Sequence, residues 1–223
     1  MIRKNIHLKF IHFLIVLNFL LILSLKGKAQ SEEVENKFNS WISADIKYNI
    51  SKKLQLTVTP ELRLSSNFEL NKTLLEGGLK YEALKYLDIS GGYRFTIDNS
   101  NENDYWQRFF VELGTSKKLK RFKTKLQVKY TNETKFNSEK QENYLRYKGG
   151  IEYNIPDNKL TPFISLEAFN SMDDQIIEKF RYYIGAEYKI NKHNRIEAGY
   201  KLDYYMTKYQ NTHILKLGYI YKF

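Results

Sequence analysis

The chain has 223 residues and no cysteine, and its 36 Lys+Arg against 25 Asp+Glu give a net charge of +11. The lack of cysteine excludes disulfide frameworks, thiolate zinc sites, iron–sulfur clusters and cysteine nucleophiles. An apolar fraction of 42% with 15% aromatics is too rich for a disordered chain, a mean hydropathy of −0.55 argues against a helical membrane protein, and the length suits one domain.

The first element is a targeting segment. Arg3, Lys4 and Lys9 form a basic start, and Phe10 to Leu25 form an apolar core. Lys26-Gly27-Lys28-Ala29 then puts small residues at the −3 and −1 positions of a cut after Ala29. Residues 1–29 are therefore read as a signal peptide that is cleaved after export through the Sec pathway, leaving a domain over 30–223. The apolar core is short of the ~20 residues a spanning helix needs, and no cysteine follows it for lipid attachment. Removing 1–29 takes five basic groups and no acid, so the net charge falls from +11 to +6. Most of the apparent basicity belongs to the signal, and no nucleic-acid partner is expected.

From residue 38 onward the chain alternates with period two. The spacing predicts strands over 38–50, 53–66, 73–82, 86–98, 104–116, 121–134, 141–155, 160–170, 178–190, 195–207 and 210–223. In the ninth, Phe180, Tyr182, Ile184, Ala186, Tyr188 and Ile190 alternate with Arg181, Tyr183, Gly185, Glu187 and Lys189. Successive side chains of a strand point to opposite faces, so one face is greasy and the other polar. Strands of soluble domains run to ~5–6 residues, whereas ~9–11 tilted residues cross a bilayer. The expected fold is all-β, a single antiparallel transmembrane β-barrel with short periplasmic turns and longer extracellular loops. Single-chain bacterial barrels have even strand numbers, so twelve strands are favoured and ten are the alternative. A twelfth would come from residues 31–40, which could otherwise run through the lumen.

The polar face carries charges of both signs. By parity Glu61, Arg63, Arg94, Arg108, Glu112, Arg146, Glu152, Glu167, Arg181, Glu187, Glu197, Lys201 and Asp203 share it. Unpaired ions inside a narrow barrel are costly, so ion pairing in the core is the first expectation for these candidate lumen charges. The lining of a narrow water-filled passage is the second.

The last strand ends Lys216-Leu217-Gly218-Tyr219-Ile220-Tyr221-Lys222-Phe223. Lys216, Gly218, Tyr221 and Phe223 resemble the C-terminal assembly signal of outer-membrane barrels, which implies recognition by the barrel-assembly machinery. Gly218 is expected to leave room for close backbone approach. More widely, the chain resembles the outer-membrane family called domain of unknown function 2490. Trp41, Pro60-Glu61-Leu62-Arg63 and Gly91-Gly92-Tyr93-Arg94-Phe95 carry that resemblance. It implies an outer-membrane barrel and brings no substrate and no catalytic residues.

No catalytic constellation stands out along the same strands. His193 falls in a predicted periplasmic turn and His213 near the outer end of the last strand, too far apart to share a metal. Ser43, Ser90 and Ser165 have no histidine nearby in sequence or expected register, and neither a phosphate loop nor a HExxH is present. Asp173-Asp174 could hold a cation but reads better as a solvated loop tip. No catalytic, metal or cofactor site is expected. The resulting expectation is a non-enzymatic barrel in the outer membrane of a Gram-negative bacterium, contacting outer-membrane lipid, as a structural protein or narrow channel. A lipid-modifying barrel enzyme and a soluble secreted barrel binding a small apolar ligand are the alternatives.

Overall fold

Eleven strands close into one barrel in a computed structural model of the chain, which describes residues 34–100, 104–136, 138–139 and 141–223. The strands are β1 (Glu35–Asn49), β2 (Leu54–Leu64), β3 (Leu70–Leu84), β4 (Leu87–Asp98), β5 (Asp104–Leu119), β6 (Phe122–Lys135), β7 (Gln141–Tyr153), β8 (Leu160–Ser171), β9 (Ile176–Lys189), β10 (Asn194–Tyr205) and β11 (Gln210–Lys222). All of them belong to the unit Glu35–Phe223. The signal peptide expected over 1–29 lies outside the described residues.

Each strand pairs antiparallel with the next in sequence, and the ring closes through β1 and β11. That closing pair is parallel, from Glu35 opposite Gln210 to Lys47 opposite Lys222. The expectation of twelve strands, or ten, is thereby corrected. With an odd number of hairpin-linked strands the first and last run in the same direction, and a parallel ladder joins them without a further strand. The residues expected to form a twelfth strand or to enter the lumen are, from Glu35 to Ser40, the first part of β1 itself.

The strands are 11 to 16 residues long. β3, β5 and β9 extend further into the connections than the alternation suggested, whereas β2, β7 and β10 stop short of their expected ends. Residues 65–69, 99–103, 136–140, 172–175 and 206–209 join strands at one end; 50–53, 85–86, 120–121, 154–159 and 190–193 join them at the other. The asymmetry between long loops and short turns is therefore milder than expected, and the connection at 154–159 is the longest of all. Hairpin turns force backbone into the left-handed region at Lys120 and Asp157, and the loops do so at Phe68 and Gln175. Register slips at three places, between Arg63 and Leu64, between Glu82 and Leu84, and between Phe169 and Asn170. Such bulges bend a strand and turn local side chains. At the last of them Glu178 reaches inward to the Tyr144 hydroxyl.

The period-two pattern sorts the residues by face. Outward positions hold Ile42, Leu62, Leu75, Leu79, Val111, Leu126, Ile164, Ile184, Leu215 and Leu217, all exposed on the outer wall. Toward the turn end this aliphatic band gives way to Tyr48, Tyr81, Phe122, Tyr188 and Tyr219; toward the loop end it gives way to Phe38, Tyr105, Tyr130 and Tyr204. Among the described strand residues, Lys117 near the turn end of β5 is the one outward-facing Asp, Glu, Lys or Arg.

Candidate barrel interior

Inward positions bring charges and rings from many strands into one volume. Contacts between strands that are not neighbours in the wall can form only through that volume. Trp41 of β1, 7% exposed, has the guanidinium of Arg63 (β2) 3.9 Å from its ring centroid, Lys201 Nζ (β10) at 4.8 Å and the Arg181 guanidinium (β9) at 5.1 Å. Phe169 (β8) meets Arg146 at 4.3 Å, Lys179 at 4.7 Å and Arg181 at 5.0 Å. Lys129 lies 4.4 Å from the ring of Phe110 (β5). Ring faces attract cations, by ~0.5–2 kcal/mol each according to exposure. These rings therefore share with the carboxylates the task of balancing the inner cations.

The carboxylates do the larger part. Asp203, 3% exposed, accepts from Arg181 Nε at 2.5 Å and Nη2 at 2.6 Å and from Lys179 Nζ at 3.1 Å. Arg146 Nε donates to Glu167 at 2.9 Å, Arg94 Nε to Glu76 at 2.7 Å and Arg63 Nε to Glu61 at 2.8 Å. Lys129 Nζ is 2.7 Å from Glu112, Arg195 Nη1 is 2.7 Å from Glu187, and Arg108 pairs with Glu133 and Lys125 with Glu152. Glu197 accepts from the Tyr183 hydroxyl at 2.5 Å. Lys201, the last of the thirteen residues selected by parity, rests on the rings of Trp41 and Tyr183.

Sequence reasoning missed part of this interior. It passed over Lys72, Glu76, Glu133, Lys179, Phe110 and Phe169, because large rings on the polar face look out of phase, and it gave Trp41, Lys129 and Tyr183 no part in the ion-paired core. The inner-face glycines are the signal that would have found them. A Cβ on Gly92 would lie 2.5 Å from Phe110 Cζ and 2.4 Å from the Gly77 carbonyl oxygen; one on Gly199 would lie 2.7 Å from Tyr183 Cε2. Each glycine leaves the depth that a neighbouring ring occupies.

The loop end of the interior holds a cavity of about 280 Å³ lined by Arg63, Lys72, Leu74, Arg94, Thr96, Trp106, Arg108, Glu133 and Glu142. Within the described residues the Nε atoms of Arg108 and Trp41 (its indole Nε1) are buried without a hydrogen-bond acceptor. A second, open cleft of about 580 Å³ lies at the turn end between 154–159 and 189–192.

The terminal motif is built into the barrel closure. Lys216 points inward and its Nζ lies 3.5 Å from Glu61 of β2, reaching past β1. The Phe223 amide donates to the Lys47 carbonyl at 3.0 Å, and its ring meets Tyr48 and Tyr221 edge-on at 5.8 and 4.8 Å. Gly218 does not need to be glycine for close approach, contrary to expectation. A Cβ there would meet Glu197 Cβ at 3.4 Å and Ser43 Oγ at 3.6 Å, which is ordinary contact.

The two histidines are held apart. His193 Nδ1 lies 2.7 Å from the Lys222 carbonyl at the turn end. His213 bonds the Tyr200 hydroxyl and Asn36 Oδ1 and stacks on Phe38 at 4.7 Å, on the outer face of the β1–β11 seam. Its partners are thus a phenol and an amide. In the 172–175 loop, Asp173 accepts from the Asn143 amide at 2.9 Å and side chain at 3.1 Å, which hold its carboxyl below the usual range. Asp174 binds the Ser171 hydroxyl at 2.9 Å. Both carboxylates thus fasten the loop to its flanking strands. Among the described residues no three His, Asp or Glu side chains are grouped to hold a metal ion.

Curated proteins offer no match to this chain. A family model spans residues 38–214, from within β1 to within β11. The chain belongs to the family described as "Protein of unknown function (DUF2490)".

Proposed function

We propose that the protein is an outer-membrane β-barrel, exported through the Sec pathway, whose interior is an ion-paired core traversed at most by a narrow passage. The observation that carries this reading is the inverted distribution of charge. The outer wall is an aliphatic band between two aromatic zones, with Lys117 as the one outward charge among the described strand residues, while acids, bases and their ring partners face inward. A soluble barrel that binds an apolar ligand needs the reverse arrangement, because water would meet the greasy wall and ions would fill the ligand site. A band of exposed apolar residues on every side of a closed wall suits hydrocarbon, and aromatics at its two rims suit the interfaces.

Fractionation tests this reading. Extraction from the envelope only with detergent, together with heat-modifiable gel mobility, supports it; release of folded protein by osmotic shock overturns it. For the passage, the crossing of Trp41, Phe169 and Arg181 through the mid-barrel favours a constriction over an open pore. Single-channel recording should then give either no conductance or small, brief steps. A large steady conductance would refute the constriction. The lipid-modifying alternative finds little support in the neighbourhood of His213, where a phenol and an amide stand in place of a serine nucleophile.

A further inference from the structure

We infer that the cavity at the loop end of the barrel is a binding site for a small soluble anion carrying a phosphate or carboxylate group, held by Arg94 and Arg108 with Arg63 and Lys72 beside them. Among the described residues four cations and two carboxylates line this space. The strand register sets the cations against each other. Arg94 of β4 stands directly opposite Arg108 of β5, and Arg63 of β2 directly opposite Lys72 of β3. Like charges opposed across two strands destabilise the sheet, so packing alone does not account for two such pairs facing one cavity.

Each cation has a carboxylate on its other side. Arg94 has Glu76, Arg108 has Glu133, Arg63 has Glu61, and Lys72 has Asp98 at 2.5 Å. Those bonds hold the side chains in place but leave donors over, because a guanidinium has five N–H groups. Arg108 Nε is buried with no acceptor among the described residues, on a side chain that lines the cavity. A buried donor without a partner is costly, and a shift of the Arg108 side chain toward the cavity would let an anion oxygen satisfy it. Elsewhere the like-charged pair Lys129 and Arg146 is accommodated differently, each lying over an aromatic ring, Phe110 and Phe169. At the loop-end cavity Arg63 likewise lies over the Trp41 ring, whereas Arg94 and Arg108 line the cavity itself.

The planar fork of arginine fits the paired oxygens of phosphate and carboxylate. The cavity lies on the inner face of a closed wall, so the ligand is a free solute and not the phosphate of a lipid in the surrounding membrane. This inference deepens the passage reading, since it names the class of solute at the loop-end mouth, but binding needs neither insertion nor conduction.

The test is titration of the purified, folded protein in detergent with inorganic phosphate, followed by calorimetry and by the unfolding midpoint, against sodium chloride at matched ionic strength. The expected result is saturable stabilisation by phosphate that chloride does not reproduce. The double variant Arg108→Gln with Glu133→Gln removes the guanidinium without stranding a carboxylate, and should raise the Kd for phosphate at least tenfold. Arg94→Lys keeps the charge and the Glu76 partner but loses the fork, and should weaken binding while the barrel stays folded. No saturable response to phosphate, or the same affinity within twofold in both variants, overturns the inference. Because fractionation reads the membrane location separately, the two proposals fail by different observations.

Discussion

Replacing Asp203 by Asn probes the ion-paired core where it is most enclosed. The carboxylate is 3% exposed and holds Arg181 through two bonds of 2.5 and 2.6 Å and Lys179 through one of 3.1 Å. The amide keeps the shape but leaves two cations, each with its side chain 15% exposed, without their counter-ion. Breaking one side of a buried pair costs ~3–5 kcal/mol, and the lower end applies here because Arg181 also rests on the rings of Trp41 and Phe169. The Glu187–Arg195 pair supplies the contrast. Its arginine is 40% exposed at the turn end, so Glu187→Gln should cost less than ~1 kcal/mol. The assay is reversible urea unfolding in phospholipid bilayers, followed by the fluorescence of Trp41 and Trp106 and by gel mobility without heating. A difference of about 2 kcal/mol or more between the two variants is expected from those two estimates. Equal losses would refute the argument that the network stabilises by pairing in a dry interior, and would point to a hydrated lumen in which both pairs are screened.

Further outcomes follow from the same geometry. Ile184→Arg, on the outward face of β9 opposite Ile164 and Tyr200, should destabilise the barrel by ~2–4 kcal/mol in a bilayer, and an unchanged folding free energy there would contradict the outward parity. Deleting Phe223 removes a bond to Lys47 and two ring contacts at the closing seam, so the folded outer-membrane level should fall; Gly218→Ala, which fits without a clash, should leave the isolated protein's stability within ~0.5 kcal/mol. A normal level without Phe223 would remove the case for an assembly role. Asp173 is held below its ordinary pKa by the Asn143 amide, so its contribution to loop order is present above about pH 4 and is lost as pH falls through the lowered folded value. The protection factor of the Asn143 amide, exchange being referred to its intrinsic rate at each pH, should fall on that acid side in the wild type and should already be lowered at neutral pH in Asp173→Asn; identical protection in both proteins would exclude the contact. Lys120→Asn places a residue tolerant of left-handed backbone where φ is 54°, and should raise the unfolding midpoint slightly, while a drop would show that the turn does not strain the lysine.

Much of the wall was legible in the amino-acid order. Tyr182, Ile184 and Ala186 against Arg181, Tyr183 and Glu187 declare a strand and its two faces, because side-chain direction in a strand repeats every two residues and needs no knowledge of the partner. The same rule placed Arg94, Arg108, Arg146, Arg181 and Asp203 on one face before any strand was paired. Tertiary structure alone decided how the ring closes. Alternation is the same in a strand that pairs parallel or antiparallel, so nothing in residues 35–47 announces β11 as their parallel neighbour, and strand parity suggested an even count instead. It also decided which carboxylate meets which guanidinium. Glu133 and Arg108 are twenty-five positions apart and meet because β5 and β6 pair in one register; a shift of two residues would keep every face and change every pair. The inward rings belong to this second kind of information, since Phe110 and Tyr183 fit only where another strand presents Gly92 or Gly199 beneath them. Local periodicity sets the face a residue occupies, whereas the neighbours it meets there depend on register and closure, which are properties of the whole ring.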